Sequence, residues 1–388
     1  MDGEGDSNET LKETPITIKG NFSLAPSWGK GAQRAGKGLL VCLLMTLNLV
    51  SEAELSQLRD IVAGAERVLV LGHTNPDGDA MGSTMTWAEY LRQQGKEATV
   101  VVPDMFPDFL HWLPGSETVV RHDKHPEEVE KLFAECDTIF CLDFNVPSRI
   151  TETLGEMLVK APGKRVLIDH HLGPDVPAEL TISRPEMSST SEMVFRLIYQ
   201  LGGYEQMTNK MAVTTYCGMM TDTGGFTFNS TRAEIFYIIS LLLEKGIDKD
   251  KIYRNVFNNF SDYRLRLVGY VLYEKLRILT PLRASYYILT KQDLKRFHYV
   301  KGDAEGLVNM PLQLKGHRLS ISLREDTDKQ NLIWVSLRSV DDFPCNEMAA
   351  RFFNGGGHKN ASGGRLNCSV KEAEQIVREA VKAFAHLL

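Results

Sequence analysis

The sequence predicts an α/β protein of two domains, a parallel-sheet domain followed by a smaller α/β domain, with a helical connector between them. Three observations predict it. Four apolar runs, Val68–Leu71, Thr99–Val102, Thr138–Leu142 and Val166–Ile168, are each followed by a segment of helical length, and continuous rather than alternating hydrophobicity suits strands covered on both faces. Residues 233–284 are helical in pattern and poor in motifs. Beyond them, Tyr286–Leu289, Leu319–Leu323 and Leu332–Leu337 read as strands and Val370–Leu388 as a closing helix.

Taken in order, residues 1–44 form a leader unlike the rest. Lys30, Arg34 and Lys37 precede the apolar Leu39–Leu44, which imitates a signal peptide but is too short to span a bilayer and lacks a small-residue cleavage site. The expectation is a non-native or disordered extension whose removal leaves activity unchanged, with Met45 as a natural start. The first domain covers 45–232 and opens on the amphipathic Glu52–Val62. Its first strand ends in "LGHTNPDGDAMGS", Leu71–Ser83, after which Met85, Trp87, Ala88 and Leu91 recur at helical spacing. The motif therefore sits at a strand-to-helix turn, and in open sheets of this kind ligands bind beyond the carboxyl ends of the strands. The second domain covers 285–388.

With 43% hydrophobic residues in 388, the chain can bury two cores without disulfides. Its six cysteines form no CxxC pair, which disfavours a zinc ribbon or a thioredoxin-type site and fits a reducing, cytoplasmic setting. The net charge of −6 conceals an asymmetry, because residues 285–388 hold 15 basic and 12 acidic side chains and leave −9 to the remainder. Long duplex nucleic acid held by counterion release is thereby excluded, whereas a small anion gripped by a few placed cations is not. No membrane segment is expected.

His73, Asp77 and Asp79 crowd one turn. Alone, they also fit an Asx-rich turn capping a helix. The later strands change this: Thr138–Leu142 ends in Asp143, and Val166–Ile168 ends in Asp169, His170 and His171. Three strands thus deliver carboxylates and imidazoles to one edge, and such crowding is unfavourable unless cations neutralise it. Adjacent residues on extended chain point opposite ways, so His170 and His171 should do different work. Asp222, in "GMMTDTGGF", is a further acid, although a helix C-terminal turn accounts for it equally well.

The ordered set His73, Asp77, Asp79, Asp143, Asp169-His170-His171 and Thr221-Asp222-Thr223-Gly224, followed by Gly355-Gly356-Gly357-His358-Lys359-Asn360-Ala361-Ser362-Gly363-Gly364, resembles the DHH phosphoesterase family with its DHH-associated C-terminal domain. It is most similar to the bacterial group of nanoRNases and pAp phosphatases. The resemblance covers about residues 65–385 and implies a Rossmann-like DHH domain. It also implies two divalent metals, one on His73, Asp77 and Asp143 and the other on Asp79, Asp143, His170 and Asp222, with Asp143 shared. Mixed carboxylate and imidazole ligation suits Mn²⁺, with Mg²⁺ or Co²⁺ as substitutes. His171 would orient the phosphate or protonate the leaving oxygen, and Asp169 would fix the histidines. Arg338 and the stretch Gly355, Gly356, Gly357 and His358 would grip the substrate nucleotide.

The activity so implied is hydrolysis of short oligoribonucleotides and dinucleotides such as pApA and pGpG to mononucleotides, with the 3′-phosphate of pAp as a further target. A cyclic-dinucleotide phosphodiesterase is the alternative within the family, and a non-catalytic nucleotide or RNA binder is the alternative outside it. A homodimer is compatible with the sequence. A single-strand DNA exonuclease would need a longer basic track, a polyphosphatase usually carries a different C-terminal domain, and no GxGxxG follows the first strand as a nicotinamide enzyme requires.

Overall fold

In the computed structural model, residues 46–300 and 302–388 are described; the reading of the 1–44 leader lies outside them. Each apolar run becomes a strand of one parallel sheet: β1 (Arg67–Leu71), β2 (Glu97–Val102), β4 (Thr138–Leu142) and β5 (Lys164–Asp169). Two short edge strands, β3 (Val120–Arg121) and β6 (Leu180–Ser183), were not legible in the sequence and complete the order β3-β2-β1-β4-β5-β6. All pairings are parallel. Alternate residues divide between two cores, Val68, Val70, Phe140 and Ile168 on one face and Leu69, Leu71, Ile139 and Leu167 on the other, which is why these strands are apolar throughout.

The strand order reverses between β1 and β4, and that switch point opens a crevice at the strands' carboxyl ends. Around it lie α1 (Glu52–Gly64), α2 (Gly78–Gln93), α3 (Pro126–Glu135), α4 (Glu152–Lys160), α5 (Thr190–Gln200) and α6 (Asn209–Asp222). Helix α1 starts at a capping box, Ser51 with Glu54, and α2 is capped by Asp77, whose Oδ1 accepts the amides of Asp79 and Ala80 at 3.0 Å each. Helices α2, α5 and α6 approach very closely. A Cβ at Gly82 would stand 2.6 Å from the Thr214 carbonyl, and one at Gly218 would overlap the Ser191 hydroxyl. Glycine at both positions lets the three helices converge beside β1.

The segment read as a connector divides in two. Helices α7 (Ala233–Glu244) and α8 (Lys249–Phe257) bury Ile235, Ile238, Leu242, Ile252 and Val256 in the first core, whereas Leu267 of α9 (Asp262–Tyr270) packs with Val271, Tyr287 and Leu289 of the second domain. The strand β7 (Arg277–Leu279) already belongs to the second sheet, pairing antiparallel with β8 (Ala284–Leu289). After α10 (Lys291–Arg296) come β9 (Leu319–Glu325), β10 (Leu332–Ser339), α11 (Cys345–Phe352), β11 (Gly356–Gly357), β12 (Ala361–Asn367) and α12 (Val370–Ala383), with sheet order β11-β12-β10-β9-β8-β7. The closing helix therefore ends five residues before the chain does, in a last 3₁₀ turn over Ala385–Leu387. Residues Leu47–Leu388 make up one unit. No helix among the described residues is long and apolar enough to cross a membrane, and the five described cysteines are free.

Candidate metal centre

Past the end of β1, His73 is buried, and its Nδ1 donates to the Thr74 carbonyl at 2.8 Å. This leaves Nε2 facing Asp77 Oδ2 at 3.8 Å and Asp143 Oδ2 at 3.4 Å. Asp143 follows β4 with φ +65°, a left-handed backbone that costs roughly 1–3 kcal/mol away from glycine and turns its carboxylate into the crevice. Past β5, His170 is arranged like His73. Its Nδ1 lies 3.3 Å from the Met187 carbonyl, and its Nε2 faces Asp143 Oδ1 at 3.5 Å, Asp222 Oδ2 at 3.5 Å and Asp79 Oδ2 at 3.9 Å. A backbone acceptor on Nδ1 fixes the tautomer that leaves Nε2 as a lone-pair donor.

Four sets of potential ligand atoms each lie within 4.8 Å of one another: His73 with Asp77 and Asp143, Asp79 with His170 and Asp222, Asp143 with Asp169 and His171, and His170 with His171 and His358. His171 has a different nearest partner, its Nδ1 lying 2.8 Å from Asp169 Oδ1 and 3.8 Å from Asp143 Oδ1, with its ring at 75° to that of His170. The adjacent histidines do have different nearest partners.

Two residues that the sequence reading missed hold the acids in place. The amides of Thr190 and Ser191, at the N-terminus of α5, donate to Asp79 at 2.7 and 2.8 Å, and the Thr190 hydroxyl donates to Asp143 Oδ1 at 3.0 Å. A helix N-terminus favours an anion. The available signal was the run Ser188-Ser189-Thr190-Ser191 ahead of an apolar helix, but nothing local says which carboxylate it serves.

Electrostatics make the case for a cation. Glu192, wholly buried, is neutralised by Arg196 at 2.8 Å and Arg232 at 2.6 Å. Asp79 and Asp143, only 1% and 2% exposed, have no Lys or Arg ion-pair partner among the described residues. Burial pushes the Asp143 carboxyl well above the ordinary carboxylate range, and the charges of Asp79 and Asp77 push it further. Asp79 is raised chiefly by burial, and Asp222 is raised to about 7 by burial together with Asp79 and Asp77. His170 goes the other way: burial opposes its charged form, yet Asp222, Asp143 and Asp79 hold it up at about 9. In Asp77, burial is outweighed by His73 and the Ala80 amide, so its carboxyl lies below its usual value. Burial lowers His73. A proton on His170 offsets only part of this negative charge, and divalent cations on the two Nε2 atoms and the carboxylates fit what remains.

The ring of His358, on the second domain, lies 4.7 Å from that of His170 and 4.5 Å from that of His171, centroid to centroid, a proximity to the acid cluster that its motif alone does not express. Burial and the two neighbouring imidazoles push it down to about 2. Burial and the charge of His170 likewise hold His171 well below its ordinary value. Gly356 and Gly357 pair in β11 with Gly363 and Ser362, Gly355 packs beneath the Gly363 carbonyl, and neither they nor Arg338 join the potential ligand sets. Arg338, at the end of β10, donates to the Leu337 carbonyl at 2.9 Å, and its charge partly offsets the rise of the Asp222 carboxyl. Lys359 pairs in solvent with Asp342 at 2.7 Å.

The chain is similar to known proteins over most of its length. A family model described as the DHH family, N-terminal domain, matches residues 67–219, and one described as the DHHA1 domain matches residues 287–387. A solved structure of an exopolyphosphatase-related protein from Bacteroides fragilis is 45% identical, with TM-score 0.82, over 87% of this chain and 98% of that one. The bifunctional oligoribonuclease and PAP phosphatase NrnA of Thermus thermophilus is 28% identical over 81% of this chain and 89% of its own length. The cyclic-di-AMP phosphodiesterase GdpP of Geobacillus thermodenitrificans is 26% identical over 84% of this chain, which spans about half (49%) of that longer protein.

Proposed function

The chain belongs to the DHH family and is a hydrolase of phosphoester bonds, and we propose that it hydrolyses short oligoribonucleotides and dinucleotides such as pApA and pGpG to mononucleotides, and also removes the 3′-phosphate of pAp. One observation carries this reading. The imidazole of His358, from the second domain, lies over His170 and His171 at the acid cluster of the first, so a substrate must enter between two domains, which suits a short single strand and not a duplex. Likeness to NrnA supports the same substrate class.

In this proposal His73, Asp77 and Asp143 hold one Mn²⁺ and Asp79, Asp143, His170 and Asp222 hold the other, with Mg²⁺ or Co²⁺ as substitutes. When bound, two such cations supply a water of lowered pKa and neutralise charge on the phosphoryl oxygens. The side chains do the remaining work. His171 Nδ1–H donates to Asp169, which turns Nε2 toward the crevice to orient the phosphate or protonate the leaving oxygen. Arg338 and His358 position the nucleotide, and the glycines at 355–357 let backbone approach it closely. The cytoplasm is the compartment that fits its free cysteines.

Likeness to GdpP supports a second reading, cleavage of cyclic di-AMP. The test is a panel of pApA, pGpG, pAp, cyclic di-AMP, RNA of increasing length, single-strand DNA and polyphosphate with Mn²⁺. The proposal expects mononucleotides from the dinucleotides and AMP from pAp. Turnover of cyclic di-AMP or polyphosphate in preference to these would overturn it, and tight dinucleotide binding without hydrolysis would favour a non-catalytic binder.

A further inference from the structure

Arg149 lies outside every motif discussed above. It sits on the 3₁₀ turn Pro147–Ile150 that follows Asp143. Its backbone is fixed from three sides: its amide donates to the Val146 carbonyl at 3.1 Å, its carbonyl accepts the Thr74 amide at 2.7 Å, and the neighbouring Ile150 is buried in the core beneath the sheet. The bond to Thr74 ties residue 149 directly to the turn that carries His73.

The guanidinium is half-buried, and among the described residues it has no hydrogen-bond or ion-pair partner. Four other half-buried or buried arginines are committed to protein groups. Arg196 and Arg232 neutralise Glu192, Arg264 donates to the Asp303 and Glu305 carbonyls, and Arg165 donates to those of Pro177 and Ala161. Arg149 instead sits at the rim of the crevice, six residues after Asp143 and hydrogen-bonded through its carbonyl to the residue beside His73. Its positive charge acts on His73 and Asp77 at one side of the cluster and on Asp169, His171 and His358 at the other. A cation whose field reaches both sides of an acid and imidazole cluster, held rigidly by its backbone and lacking a protein anion, is placed to receive a small anion between them.

We propose that Arg149 is a catalytic residue that grips the non-bridging oxygens of the scissile phosphate. This rests on the phosphoester hydrolysis proposed above, though not on the identity of the nucleoside. The guanidinium presents a planar fork of N–H donors that matches two phosphate oxygens at once. In the hydrolysis, the water oxygen bonds to phosphorus and the bond from phosphorus to the nucleoside oxygen breaks. One water proton ends on the released hydroxyl and the other on the phosphate or in solvent. Negative charge gathers on the equatorial oxygens during this exchange, and a fixed donor aimed at them stabilises the transition state more than the ground state.

The experiment compares wild type with Arg149→Ala and Arg149→Lys on pApA and on bis-p-nitrophenyl phosphate, a small ester with no second nucleotide. The expected result for Arg149→Ala is a loss of about a hundred-fold or more in kcat on both substrates, with two Mn²⁺ per chain and an unchanged Tm. Arg149→Lys should recover part of it, and added guanidinium ion should partly rescue the alanine variant. Independently of turnover, calorimetric titration of the Mn²⁺-loaded protein with inorganic phosphate should show at least about ten-fold weaker binding in Arg149→Ala. Equal phosphate affinity, a loss confined to pApA, or loss of bound Mn²⁺ would each overturn the proposal. If wild type cleaves the small ester but not pApA, the nucleotide reading fails while the role of Arg149 is still decided by the ester and phosphate arms.

Discussion

The rings of His171 and His358 are stacked, 4.5 Å apart and 23° from parallel, and they come from different sheets, His171 from the end of β5 and His358 from the loop after β11. With His170 edge-on to His171 at 4.8 Å, three imidazoles crowd one side of the acids, and of the three only His170 is favoured in its charged form. The second domain therefore brings a side chain into contact with the histidines of the first.

This stacking separates His358 from Arg338. Arg338→Ala should lower kcat/KM on pApA by about ten- to a hundred-fold through loss of one charge-assisted contact, while leaving bis-p-nitrophenyl phosphate nearly untouched. His358→Ala should lower both activities, since its ring packs against His170 and His171. Steady-state kinetics on the two substrates give the ratio. A normal rate on the small ester in His358→Ala would return this residue to a purely substrate-gripping role.

Asp143→Asn should abolish turnover on every substrate, by at least hundreds-fold, because Asp143 faces both histidine Nε2 atoms and its loss weakens both cation sites. Asparagine tolerates the left-handed backbone at this position, so the fold should survive. Metal analysis and circular dichroism check both halves of this. EDTA should inactivate the wild type, and Mn²⁺ should restore it.

Metal-free protein should lose thermal stability as pH rises from about 6.5 to 9. Two groups set the sign. Asp222, raised from 3.8 to about 7, carries a penalty in the fold that builds from about pH 4 and is complete just above 7, so it adds only to the lower end of this window. His170, raised from 6.5 to about 9, contributes stability that is complete below 6.5 and gone above 9. Glu305, also raised to about 7, acts in the same direction. The lowered His73, His171 and His358 titrate below this window. Thermal unfolding of EDTA-treated protein should show the decline, saturating Mn²⁺ should flatten it, and Mn²⁺ binding near pH 8 should release protons. A Tm that rises across the window in metal-free protein would contradict the proton on His170.

Gly218→Ala should damage activity more than its size suggests. Its Cβ would overlap the Ser191 hydroxyl and reach within 3.0 Å of Asp79 Oδ1, at a cost of about 1–3 kcal/mol for overpacking. The strain falls on the contact that orients Asp79, so Mn²⁺ affinity should drop along with Tm. An alanine variant with wild-type metal affinity would show that α5 and α6 separate without disturbing Asp79.

What the sequence by itself determined is local. Continuous apolar runs marked β1, β2, β4 and β5, because strands buried on both faces cannot alternate, and the residues just past three of those runs are the acids and imidazoles that meet in the crevice. The two-residue β3 and the four-residue β6, with half-polar edges, carry too little periodic signal to be seen. Only the tertiary structure decided the rest. The strand order reverses between β1 and β4, which brings together two residues 70 positions apart in the chain, His73 and Asp143. Three helices close to glycine contact, so that Thr190 and Ser191 cap Asp79 from more than 100 residues away. A turn with no motif of its own carries Arg149 to the centre, and the second sheet folds His358 back over the first. Spacing along a chain cannot express these pairings, because each depends on the crossing of elements whose partners lie far away in sequence, and burial of two cores rather than local propensity sets those crossings.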